Sequence, residues 1–213
     1  MNNKSRCFLA LVAAAFAGIS PLTAQSAVPA GAASPAPATV SVPPAAGARL
    51  SPHETISLHL GTGRNAPLVT ITYGRPLSQK QGTTEVRKIW GALVPWRAVW
   101  RMGSDEATTL ITQKDLDFGG TTIPAGAYTL CMYPDDQGAT KLIFNKQIGQ
   151  WGIPYTPAIQ ANELARVDMK KDTLDKQVDE FTIALVADPA NGGAILKAFW
   201  ETTQYSVAFK VKQ

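Results

Sequence analysis

The chain has 213 residues, 45% of them hydrophobic and 17% charged, with a formal net charge of +4. That is enough apolar material for one core and too much polar material for a membrane channel. Three of the 20 basic residues, Lys4, Arg6 and Arg49, precede Leu50, and the other 17 are interleaved with 16 acids; this lacks the one-sided basic stripe that a nucleic-acid partner requires.

In chain order, Lys4 and Arg6 precede twelve apolar or small residues, Phe8 to Ile19, and then Pro21 and the small-residue stretch Leu22 to Ala27. A spanning helix needs about 20 apolar residues, so residues 1–27 read as a secretory signal peptide cut after Ala24 or Ala27. Cys7 precedes the apolar run instead of ending it, which argues against a lipid anchor. The expected location is periplasmic or secreted, with no membrane span once the leader is removed. Residues 28–49 follow as a linker: five Pro and eight Ala between Val28 and Ala48 cannot bury enough surface to fold, so an extended tether is expected.

Residues 50–213 have the size of one domain, and their dominant apolar period is two, the signature of strands. Ile56, Leu58 and Leu60 alternate with polar neighbours, as do Tyr205, Val207, Phe209 and Val211. Leu68–Tyr73, Ala107–Thr112, Ala127–Tyr133, Thr140–Phe144, Glu180–Ala187 and Ala194–Trp200 read similarly. In Ala161–Lys171 a helical stripe from Leu164 meets only Val167 before reaching charge, so this too is predicted to be a strand. Gly119-Gly120, Pro124-Ala125-Gly126, Asp135–Gly138 and Asn191-Gly192-Gly193 supply turns at hairpin spacing. The predicted fold class is all-β, a single-domain antiparallel β-sandwich or open barrel.

Strong catalytic motifs are missing. His53 and His59 share a strand face, but their Cα atoms lie about 20 Å apart in extended chain, too far to share an ion. The adjacent acids Asp105-Glu106, Asp135-Asp136 and Asp179-Glu180 point to opposite strand faces, and no nucleophile elbow, P-loop or dinucleotide fingerprint occurs. Cys131, the one cysteine beyond the leader, reads as a small core side chain. No metal, cofactor or catalytic residue is expected.

The dense stretch is Lys88–Glu106, with Trp90, Trp96 and Trp100 among Lys88, Arg97 and Arg101. Within Val99-Trp100-Arg101, Trp100 and Arg101 face opposite ways, so one enters the core and the other is free for a partner.

Tyr73-Gly74-Arg75-Pro76, Lys88-Ile89-Trp90-Gly91 with Leu93-Val94-Pro95, Val99-Trp100-Arg101, Gly103, Glu106-Ala107-Thr108, Pro124–Tyr128, Phe144-Asn145-Lys146 and Gln150-Trp151-Gly152 together make a distinctive signature. In these the chain resembles a family of secreted bacterial proteins catalogued as a domain of unknown function. The resemblance implies an exported β domain and supplies no activity. It singles out Tyr73, Arg75, Lys88, Trp90, Trp100, Arg101, Glu106, Asn145 and Trp151 as candidate ligand-binding residues, polar or aromatic where packing alone would accept aliphatics. One expectation is a buried Arg101–Glu106 ion pair that fixes a corner of the fold. The sharper one is a cleft for an anionic or sugar-like ligand, gripped by arginine forks and tryptophan faces. The functional expectation is a non-catalytic envelope binding module. A hydrolase of a cell-surface glycan or ester, and a structural domain docking an envelope protein, are the alternatives.

Overall fold

The structure is a computed structural model and describes residues 51–80, 82–190 and 192–212. The leader and linker expectations lie outside the described residues. Among the described residues nine antiparallel strands form one sheet: β1 (His53–His59), β2 (Leu68–Gly74), β3 (Thr109–Thr112), β4 (Leu116–Phe118), β5 (Thr121–Ile123), β6 (Gly126–Tyr133), β7 (Thr140–Asn145), β8 (Glu163–Asp188) and β9 (Gly193–Val211). Their spatial order is β1-β2-β3-β6-β7-β8-β9-β4-β5, so β1 and β5 are free edges and the sheet does not close. A single helical turn, α1 (Pro157–Gln160), is capped by the Thr156 hydroxyl and precedes β8.

The sheet becomes two layers because β8 belongs to both. Up to Met169 it pairs with β7. From Lys170 onward it pairs with β9, whose far end pairs with β4. Alternation then decides the core: Val69, Ile71 and Tyr73 of β2 and Leu110 of β3 are buried, as are Phe181 and Ile183 of β8 and Leu196, Ala198 and Trp200 of β9. The layers meet where the Tyr73 ring stands edge-on to Phe181, centroids 6.0 Å apart. Such aromatic burial carries much of the stability; truncating a fully buried tryptophan such as Trp200 costs about 3–5 kcal/mol.

The predicted strands are present, with differences of extent: the one expected over Ala107–Thr112 begins at Thr109, and two pairs of neighbours merge. The segments around Ala161–Lys171 and Glu180–Ala187 fuse into the 26-residue β8, and those around Ala194–Trp200 and Gln204–Lys212 into the 19-residue β9. The fusion passes through irregular register at Thr173/Val178 and Val178/Thr182, and Glu201 there takes a left-handed φ of 52°. Extra residues of this kind bend a strand and re-aim its side chains. Cys131 is buried, as expected, and burial pushes its thiol up to about 12, far from a reactive thiolate.

Candidate functional site

The site is built at one end of the two layers, where three segments of irregular chain converge. Trp100 joins the sheet through a two-bond bridge to Met132, N to O 2.7 and 2.8 Å. After it the chain turns sharply, with left-handed φ of 53° at Met102 and 62° at Asp105. The turn is pinned by Thr108, whose hydroxyl donates to the Met102 carbonyl at 2.8 Å. Side chains other than glycine pay for such backbone, and strain of this kind gathers at functional sites.

Two glycines let the segments touch. A Cβ on Gly74, at the end of β2, would overlap the Ser104 carbonyl, and one on Gly152 would overlap the Arg101 stem. Gly152 is held by its N–H to the Asp105 carbonyl, 3.0 Å. A third segment, residues 76–80 and 82–94, is bridged at Gln79–Val86 as a narrow hairpin, with Arg87 N–H donating to the Ser78 carbonyl at 3.0 Å.

Between them lies a pocket of about 560 Å³, lined by Lys80, Arg87, Arg101, Ser104 and Asp105, by Trp100 and Trp200, and by Pro76, Leu77, Leu93 and Ile153 among others. Its volume falls in the range of small-molecule sites. Trp100 and Trp200 stack beneath it, centroids 5.8 Å apart and 23° from parallel. Three buried polar atoms of its lining, Ser104 Oγ, Asp105 Oδ2 and Trp200 Nε1, have no hydrogen-bond partner among the described residues. Each such orphan costs about 1–3 kcal/mol in a folded protein.

Arg101 is the charged centre of this loop. Its Nε donates to the Gly103 carbonyl at 3.1 Å, and among the described residues no carboxylate stands within ion-pair distance of it. Burial lowers its pKa, opposed by the charge of Asp105. The expected Arg101–Glu106 buried pair is not formed. Glu106 instead meets His53, Nε2 to Oε2 2.9 Å, with its side chain 39% exposed, because the left-handed step at Asp105 turns the two residues toward different neighbours.

The other candidates divide between fold and surface. Tyr73 is buried in the inter-layer seam: its hydroxyl donates to Glu54 Oε2 at 2.5 Å and accepts from the Ile183 N–H at 2.9 Å. Burial, then the bond to Glu54, raises the hydroxyl well above its ordinary value. Arg75 sits beside it, with Nη2 2.9 Å from Glu180 Oε2 and 3.1 Å from the Thr182 hydroxyl. Both therefore clamp β2 to β8. Asn145 is fully buried and donates to the Ile159 carbonyl at 2.7 Å while accepting from the Gln147 N–H at 2.8 Å, so it fixes the α1 turn. Trp90 stacks on Trp96 and meets Trp100 and Tyr205 edge-on. The Lys88 side chain is exposed, and Trp151, 52% exposed, bridges Glu106 through its backbone. Of the nine, Trp100 and Arg101 line the pocket.

Sequence reasoning missed Lys80, Arg87, Ser104, Asp105 and Trp200. Ser104 and Asp105 fall inside the signature between quoted positions, which was the one available signal; Trp200 reads only as a strand aromatic.

Fold and pocket define a class: an open, two-layered antiparallel β domain with a cationic, tryptophan-floored pocket at one end. Within it the chain belongs to the family described as Protein of unknown function (DUF2911), whose model matches residues 51–209. No curated protein and no solved structure matches the chain.

Proposed function

We propose that this is an exported binding module that holds a small anionic ligand, an acidic sugar included, in the Arg101 pocket without transforming it. The observation that carries the reading is Arg101 itself: a half-buried guanidinium, oriented by one backbone carbonyl and facing a pocket in which, among the described residues, one acid, Asp105, offsets its charge without forming an ion pair with it. A buried charge without a partner is costly, and a guanidinium fork is the best side-chain match for a carboxylate or phosphate. Ser104 Oγ and Trp200 Nε1 add donors, and Asp105 Oδ2 an acceptor suited to a ligand hydroxyl. Export rests on Lys4, Arg6 and the apolar run after them.

Thermal shift of the full chain tests it. Phosphate, acetate and glucuronate raise Tm while neutral glucose does not, and Arg101→Gln removes the rise while shifting the ligand-free melt by under about 1 kcal/mol, as for partly exposed positions. Anions without effect on the wild type would end the reading.

Hydrolysis is the second reading, favoured by one observation. The orphan Ser104 hydroxyl lies over Gly74, the ladder partner of His53, whose ring is held by Glu106. Ser104 Oγ makes no hydrogen bond to that imidazole, so no base holds its proton, and binding stands first. Turnover of chromogenic esters that Ser104→Ala abolishes would reverse the order.

A further inference from the structure

We infer that the pocket contains two anion subsites and that its ligand is a compact organic dianion, two acidic groups joined by a short body; this rests on the binding reading above. The inner subsite is Arg101 with the buried, unpartnered Ser104 Oγ and Trp200 Nε1. The outer one is Arg87, which lines the same pocket from the hairpin segment.

Arg87 repeats the logic of Arg101. Its Nη2 donates to the Leu77 carbonyl and its Nε to the Ser78 carbonyl at 3.4 Å, and among the described residues no carboxylate pairs with it. A guanidinium has five N–H donors, so backbone carbonyls fix its plane and leave the remaining fork for a ligand. Preorganisation of this sort lowers the ordering cost of binding. Lys80 adds a third positive charge on the hairpin side, shared with Glu85 at 3.7 Å.

Among the described residues the charges lining the pocket are thus three cations against one acid, Asp105. A monoanion seated on Arg101 leaves Arg87 uncompensated. The two guanidiniums come from different segments, with Leu93, Ile153 and Trp100 also in the lining, and about 560 Å³ exceeds what a lone carboxylate or phosphate fills. An apolar or hydroxylated body with an acidic group at each end matches that order.

Isothermal titration calorimetry of the full chain at constant ionic strength decides it, using α,ω-dicarboxylates of rising length, the matching monocarboxylates, inorganic phosphate and a sugar phosphate bearing a carboxylate. One dicarboxylate length, or the carboxylated sugar phosphate, binds roughly tenfold tighter than its monoanionic counterpart. Arg87→Gln erases that difference by costing the dianion roughly tenfold more affinity than the monocarboxylate, whereas Arg101→Gln weakens both alike; Arg87→Lys restores part of the gap. If monoanions bind and dianions of every length bind no better, the two-subsite inference falls while the binding function stands; this wild-type comparison holds whether or not a variant folds. If Arg87→Gln weakens mono- and dianions by the same factor, Arg87 is not a separate subsite. If no anion binds, the binding function itself fails.

Discussion

Gly152 places a functional requirement on a residue with no side chain. An added Cβ would press on the Arg101 stem and sit 3.0 Å from the Asp105 carbonyl, so Gly152→Ala must displace the arginine. The expected cost is about 1–3 kcal/mol, as for other overpacked sites, with a loss of anion-induced stabilisation larger than the stability change explains; melting curves with and without phosphate measure both. Tyr73 makes the complementary case. Its raised hydroxyl pKa means that the folded chain keeps a proton the unfolded chain releases near pH 10. That share of stability is present below about pH 10 and lost as pH rises beyond it. Tyr73→Phe strands the Ile183 N–H while Glu54 keeps Arg75 at 3.5 Å; it costs about 1–3 kcal/mol at neutral pH and makes the alkaline decline shallower in urea midpoints taken from about pH 8 to 11. Equal slopes for the two proteins would show that Tyr73 does not titrate on unfolding.

Among the elements, the β8–β9 ladder explains what could be read in advance. The two regular ends of β8, one paired with β7 and the other with β9, show period-two alternation because one face is buried, as at Val167 and Met169 and again at Phe181 and Ile183. The stretch Asp172–Asp179 between them is mostly exposed and its register slips, so nothing in its pattern reveals that one strand runs through. Arg101 was legible from its place in the tryptophan- and arginine-dense stretch, but the opposition to Trp100 expected there is not formed: neither lies in a strand and both line the pocket. Lys80, Arg87 and Trp200 were not, because they reach the pocket only through the hairpin and the bent β9. The same bend leaves Glu201 half-buried with its carboxyl pKa raised by burial. A raised carboxyl favours the protonated folded state, so its contribution is present below the ordinary carboxylate range and lost as pH rises through it. Glu201→Gln is therefore expected to stabilise at pH 7, by under about 1 kcal/mol, and to be neutral at about pH 3, where both forms are uncharged; denaturant midpoints at the two pH values check this.

For the whole molecule, the described core runs from Leu60 to Phe209, matching the extent of the family model at residues 51–209. A chain beginning at Leu50 is expected to melt cooperatively, close to the full-length Tm, with a β-type far-UV spectrum; helix content above about a third would contradict the fold. Because β8 is shared, neither layer can be peeled away without tearing the strand that both use. The layers cannot open as separate foldons, and native-state hydrogen exchange should give the amides of β7 and the central part of β9 a common opening free energy. The hairpin of β8 with β9 is also the largest pairing between sequence neighbours, so its closure costs less loop entropy than any contact between β2 and β8. Refolding should start there, with φ-values high along the ladder near Leu185 and Leu196 and low at the β1 edge.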